Sequence, residues 1–249
     1  MAINAYPGAA LEGCLNDQDT MNDLLLRHGW EQNQIVRLRD RDCTTSRILH
    51  ELDRLTEPGL TRFCFHYSGH GTIVPGTEND PIPSDAICPI DFDWQPKHWI
   101  TDKDFLVRFE RIPENTPGCW ISDSCHSGLL SKDFLVLQRT RHYPHCPVHI
   151  HDLLRQLFDK HRVSRGFVPN GPFHSAFVSG CRSDQTSVDA FIDGQHCGAA
   201  THYLVQAINE LPNSTLVDIV RRANELLRLN SFDQEPQVDG MRQGFPFLS

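Results

Sequence analysis

Cys119-Trp120-Ile121-Ser122-Asp123-Ser124-Cys125-His126-Ser127-Gly128 is the stretch whose reading decides the fold. Its apolar start reads as a buried strand, and the small residues and glycine that follow read as a turn leaving Cys125 at the strand's C-terminal tip. Upstream, Arg62-Phe63-Cys64-Phe65-His66-Tyr67 is a second such run, ending in Ser68-Gly69-His70-Gly71. A thiol at one tip and an imidazole at the next form a candidate nucleophile and base, because the thiolate attacks and a partner must draw off its proton. The two meet only if their strands are neighbours in one parallel sheet.

The flanking pattern predicts that arrangement. Residues 9–28 read as a helix, with Leu11, Cys14, Leu15, Leu24 and Leu25 near a 3.6 period and Gly29 as the stop. Ile35-Val36-Arg37-Leu38 reads as a short strand, and Met1 to Asn4 as the end of a first one. Thr44 or Thr45 caps a helix carrying Ile48, Leu49, Leu52 and Leu55, closed by Pro58-Gly59. The resulting β-α-β-α-β order implies parallel pairing with right-handed crossovers. Residues 71–84 read as a loop, 86–90 as a short strand, and Thr101 as the cap of a helix through Phe105, Leu106 and Phe109. A long, poorly patterned connection, 129–173, holds one helical segment at 151–161. Order returns with a strand at 175–179 and helices at 199–211 and from Ser214 or Thr215 through Leu227, and Phe245-Pro246-Phe247-Leu248 reads as a closing edge strand.

Composition narrows the function classes. With 249 residues, 39% hydrophobic and 22% charged, the chain has the makings of a sizeable core. The net charge of −9, with no basic stripe, argues against nucleic acid as a partner. Nine cysteines without a CxxC pair, several inside apolar runs, read as buried reduced thiols of a cytoplasmic protein. No apolar run approaches a membrane span, and no basic segment precedes an apolar stretch at the N-terminus. His66 and His70 have the HxxxH spacing of a zinc helix, but Tyr67 stands where the catalytic glutamate belongs. The group His142, His145, Cys146, His149 and His151 could be read as a zinc site, but its irregular spacing in a proline-containing stretch favours an exposed histidine-rich segment.

Tyr67-Ser68-Gly69-His70-Gly71 and Asp123-Ser124-Cys125-His126-Ser127-Gly128 resemble the two active-site motifs of metacaspases, caspase-fold cysteine peptidases. Further matches follow in family order: Ile3-Asn4-Ala5-Tyr6, Leu11 to Asp17, Asp85 to Asp91, Gly180 to Ser187 and Gln234 to Gln237. The resemblance implies a three-layer α/β/α sandwich, with a mainly parallel six-stranded sheet and helices on both faces. It implies one caspase-like domain over 1–249, in which residues 1–131 form the larger portion, 132–171 a linker and 172–249 the smaller portion.

It further implies a His70–Cys125 dyad forming an acyl-enzyme, with the amides of Gly71 and Cys125 as the oxyanion hole. Asp17, Ser68 and Asp123 would line the pocket for the side chain before the scissile bond, and an acidic pocket favours arginine or lysine. The expected partners are therefore protein or peptide substrates with a basic residue at the cut. The chemistry needs no cofactor. Calcium is implied as an activator by Asp85 and Asp102, with Asp104 and Asp133 nearby and Lys103 departing from the acidic pattern. Self-cleavage is expected in the linker, after Lys132, Arg139, Arg141, Lys160, Arg162 or Arg165. Two other readings stay open at this point: a silent caspase-fold interaction module, and a peptidase of this fold that cuts after aspartate.

Overall fold

The computed structural model describes residues 1–76, 82–113, 116–124, 141, 143, 146–150, 175–182, 185–240 and 244. In chain order, helix α1 spans Cys14–Arg27 and α2 Thr45–Arg54. Strands β1 (Phe63–Ser68), β2 (Gly71–Val74), β3 (Ser84–Ile87) and β4 (Ile100–Thr101) follow. Helix α3 spans Asp102–Phe109, β5 Gly118–Asp123 and β6 Ala176–Ser179. Then come β7 (Asp189–Ile192), β8 (Gln195–Gly198), α4 (Ala199–Glu210), α5 (Leu216–Leu229) and β9 (Gln237–Asp239).

The central sheet has the order β1-β5-β6-β9, parallel except for β9. Ala2 adds a parallel bridge to Ser68 and another to Arg39, so six chain segments lie side by side. Strands from before and after the long connection thus share one sheet. Alternation along β5 explains the layers. Trp120 faces a core with Phe65, Ile48, Leu52, Phe105 and Phe109, which includes α2 and α3. Cys119 and Ile121 face the opposite core with Met21, Leu24, Leu204 and Ile219, which includes α1, α4 and α5. Two buried faces are why these strands read as continuous apolar runs. The expected α/β/α sandwich is the observed one.

Local chemistry sets the helix starts. Thr44 accepts the Arg47 N–H, Thr215 accepts the Asp218 N–H, and Thr101 with Asp104 forms a capping box on α3. Some expectations need correction. Helix α1 begins at Cys14 rather than residue 9, because Gly8 takes a positive φ of 70° and residues 4–13 are tied down by loop contacts. Ile35–Leu38 does not form a regular strand; its end reaches the sheet, where the Leu38 carbonyl accepts the Ala2 N–H at 3.1 Å and also a bond from Gln18 Nε2. The segment after Gly71, read as a loop, opens with β2, which joins an antiparallel β2-β3-β4 sheet. The hairpin β7–β8 was not foreseen. The expected edge strand at 245–248 and helical segment at 151–161 lie outside the described residues, and β9 pairs with β6. Among the described residues no helix is long and apolar enough to cross a membrane.

Candidate active site

The parallel register of β1 and β5 sets Ser68 beside Asp123 at the carboxyl edge of the sheet, where ligands of open α/β sheets bind. His70 lies two residues beyond Ser68, and position 125 two beyond Asp123. Cys125 itself falls outside the described residues. His70 is buried, packed on Tyr6 with ring centroids 4.6 Å apart. Its Nε2 lies 2.7 Å from the Ala9 carbonyl oxygen, which can only accept, so Nε2 carries the proton. That leaves Nδ1 as the basic nitrogen; it is buried, and no described residue makes a hydrogen bond to it. Burial pushes the imidazole down to about 4, so it is neutral near pH 7 and able to accept a proton.

The three residues expected to line the first pocket do come together. Asp17 Oδ2 accepts from Ser68 Oγ at 2.7 Å, and its Oδ1 accepts the Gly198 N–H at 2.8 Å. Asp123 Oδ2 accepts both N–H and Oγ1–H of Thr201 in the first turn of α4, and its Oδ1 accepts Ser187 Oγ–H. A carboxylate at a helix N-terminus also gains from the aligned peptide dipoles. Asp17 and Asp123 are each 1% exposed. Two such carboxylates this deep require a cation.

The cation comes from the chain itself. Arg141 is fully buried in this pocket. Its Nη1 donates to Ser68 Oγ at 2.6 Å and to the Asp123 carbonyl at 3.1 Å. Its Nη2 donates to Asp17 Oδ2 at 2.7 Å and to Asp189 Oδ1 at 3.1 Å. The backbone is held as firmly. The Arg141 N–H donates to the Ser187 carbonyl at 3.1 Å, and the Arg141 carbonyl accepts the Gly71 N–H at 2.9 Å. Tyr143 N–H then donates to the Gly71 carbonyl at 3.0 Å, so the segment runs along Gly71 as an added strand would.

Sequence reasoning missed Asp189, Gly198 and the Ala9 carbonyl. Asp189 and Gly198 sit on β7 and β8, joined by Asp193-Gly194 with φ of 50° and 84°. An Asp-Gly pair with both φ positive is the signature of a tight two-residue hairpin turn, and it was readable in the sequence. Gly198 must lack a side chain: a Cβ there would meet Asp123 Oδ2 at 2.2 Å and Arg141 Nη2 at 2.6 Å.

Asp17 also sets a pH dependence. Burial pushes its carboxyl up to about 6; Arg141 holds it down, Asp123 pushes it up, and Ser68 holds it down. Gly198 from β8 and Asp189 from β7 complete its surroundings. Below about pH 6 the group takes a proton and loses its pairing with the bound cation. The ion pair between Asp17 and Arg141 should therefore weaken as pH drops through about 6.

The expected calcium residues are only partly assembled. Asp85 is buried, and its carboxyl is pushed well up by burial and then by the Asp102 charge. Asp104 Oδ2 is taken by the Thr101 N–H and hydroxyl of the capping box. Asp133 lies outside the described residues. Among the described residues no group of three acidic, His or Cys side chains is placed to hold a metal.

Fold and site together define an α/β domain whose sheet edge carries a buried histidine beside a cation-binding pocket. The caspase-domain profile matches residues 1–245, and the chain belongs to that peptidase family. Metacaspase-1 of Scheffersomyces stipitis is 28% identical over 271 residues, covering 92% of this chain and 66% of that protein. Metacaspase-8 of Arabidopsis thaliana is 38% identical over 142 residues, covering 51% of this chain and 36% of that protein. The chain thus spans 60 to 66% of the length of the Metacaspase-1 proteins it matches. In fold it is similar to the crystal structure of protein GSU0716 from Geobacter sulfurreducens, with a TM-score of 0.70, 21% identity, and 96% and 90% of the two chains covered.

Proposed function

We propose that this chain is a cysteine endopeptidase that cuts protein or peptide substrates after arginine or lysine, and that it processes itself after Arg141. One observation carries the reading: a basic side chain lies in the acidic pocket while its own carbonyl accepts the Gly71 N–H. That is how the residue before a scissile bond would be held. Of the six linker residues expected as cutting sites, Arg141 is the one among the described residues, and it fills the pocket.

The chemistry assigns each group one task. His70 Nδ1 takes the proton of the Cys125 thiol, and the sulfur attacks the carbonyl carbon. The carbonyl oxygen becomes an oxyanion, and the Gly71 N–H, already aimed at that oxygen, stabilises the charge. The C–N bond breaks, and His70 returns the proton to the leaving amine. Water, deprotonated by the same imidazole, then hydrolyses the thioester and frees the thiol. Ala9 positions the ring throughout.

Cleavage after aspartate finds no support in this pocket, where Asp17, Asp123 and Asp189 would repel an acidic side chain. A silent interaction module is disfavoured by the backbone hydrogen bonds that Arg141 makes at the site. The free state of all eight cysteines among the described residues supports a reducing, cytoplasmic setting. Cys125→Ala and His70→Ala should each abolish turnover with circular dichroism unchanged, because groups acting as one unit fail together. Peptidase activity surviving in Cys125→Ala would remove that residue from the nucleophile's role.

Calcium activation belongs to the same proposal, with Asp85 and Asp102 as the carboxylates that would bind the ion. Millimolar calcium should raise activity over chelator, and Asp102→Ala should blunt the rise. Equal rates in chelator and calcium would dismiss the ion.

A further inference from the structure

From the surroundings of Tyr143, we infer a second pocket on the leaving side of the scissile bond: an aromatic box that takes a tyrosine or phenylalanine two residues past the cut. The inference rests on the peptidase reading and extends it from the residue before the bond to those after it. With the bond after Arg141 as the one cut, Tyr143 is the second residue beyond it. Gly71 holds both sides of that bond. Its N–H donates to the Arg141 carbonyl at 2.9 Å, and its carbonyl accepts the Tyr143 N–H at 3.0 Å.

The Tyr143 side chain sits among four other rings. Its centroid lies 5.0 Å from that of Phe92, 5.7 Å from His70, 5.9 Å from Tyr6 and 6.3 Å from Trp94. The interplanar angles run from 63° to 87°, so every contact sets a ring edge toward a ring face. That arrangement brings the positive edge of one ring to the negative face of another. An aliphatic side chain can fill the space but lacks this charge pattern. The Tyr143 hydroxyl also donates to the Phe92 carbonyl at 3.4 Å, a contact that only tyrosine supplies.

The walls of the box do not depend on their occupant. Phe92 and Trp94 are 5% and 6% exposed and pack on each other at 5.1 Å. Their segment is tied to the core, with the Phe92 N–H on the Pro89 carbonyl and the Ile90 N–H on the Cys43 carbonyl. Tyr6 is pinned through its hydroxyl, which donates to the Cys88 carbonyl at 2.8 Å and accepts the His70 N–H at 3.1 Å. Tyr143 itself is only half-buried, so one side of the box is open to solvent. The fourth wall is the His70 ring, the group that returns a proton to the leaving amine. An aromatic side chain held there keeps the leaving segment beside the imidazole while the C–N bond breaks.

Matched peptides with arginine before the cut, and tyrosine, phenylalanine or alanine two residues after it, test this on the full chain. The unaltered protein should favour tyrosine over alanine by about ten- to a hundredfold in kcat/KM, with phenylalanine close to tyrosine. Trp94→Leu keeps apolar bulk but removes a ring. In it the tyrosine value should fall by about tenfold and the alanine value far less, so that the ratio shrinks toward one. If Trp94 only filled the core, both values would fall together and the ratio would stay, which overturns the box. Should the variant fail to fold, the unaltered protein still decides: equal cleavage of the tyrosine and alanine peptides overturns the box while leaving the peptidase reading intact. Cleavage of none of the peptides overturns the peptidase reading itself, and this inference with it.

Discussion

Arg141→Gln is expected to abolish the cut between residues 141 and 142 and to give an uncut chain that accepts peptide substrates from the first turnover. In the native chain the guanidinium fills the pocket and the Arg141 carbonyl occupies the Gly71 N–H, so a competing peptide finds both positions taken. An occupant tethered in the same chain acts at an effective concentration on the order of millimolar. A peptide at tens of micromolar should therefore meet an apparent KM about ten- to a hundredfold higher before self-cleavage than after it. Glutamine is uncharged and cannot supply the ion pair to Asp17, so the plug is lost. Mass spectrometry of incubated native enzyme should show a product ending at Arg141, absent from Cys125→Ala and Arg141→Gln. An intact Arg141–His142 bond in fully active enzyme would show that this residue is an occupant but not a substrate.

Gly198→Ala should produce the second large effect. Its added methyl would collide with Asp123 Oδ2 and with the bound guanidinium, two groups that cannot move apart without breaking the Thr201 and Asp17 contacts. One lost charge-assisted contact costs about 1.5–3 kcal/mol, roughly ten- to a hundredfold in specificity, and here several are displaced at once. Activity on arginine peptides should fall by more than a hundredfold. Labelling of Cys125 by a small thiol reagent should persist, because the methyl lies in the side-chain pocket and not at the nucleophile. Loss of labelling together with activity would mean that the strand tip itself had collapsed.

Part of this site is written in the sequence itself, and part is not. His70, Asp17, Ser68 and Asp123 could be singled out through the family resemblance of the motifs that carry them, and Ser68 does pair with Asp123 in register. The two buried faces of β1 and β5 were legible from uninterrupted apolar runs. Asp189 was not, because β7 and β8 are short and mixed in polarity, with Phe191 exposed and Cys197 buried, so no clean alternation marks them. The Asp193-Gly194 turn was the available sign. Arg141 carries no local sign at all: its place depends on carboxylates far away in sequence, and pattern reading supplies only its charge.

In the proposed reaction Cys125 cleaves after a basic residue held by Asp17, Ser68, Asp123 and Asp189. The most direct measurement is a peptide series differing only in the residue before the cut, with Cys125→Ala as the blank. The account predicts strong cleavage after arginine, weak cleavage after neutral residues and none after aspartate. Efficient cleavage after aspartate, with arginine peptides ignored, would contradict it.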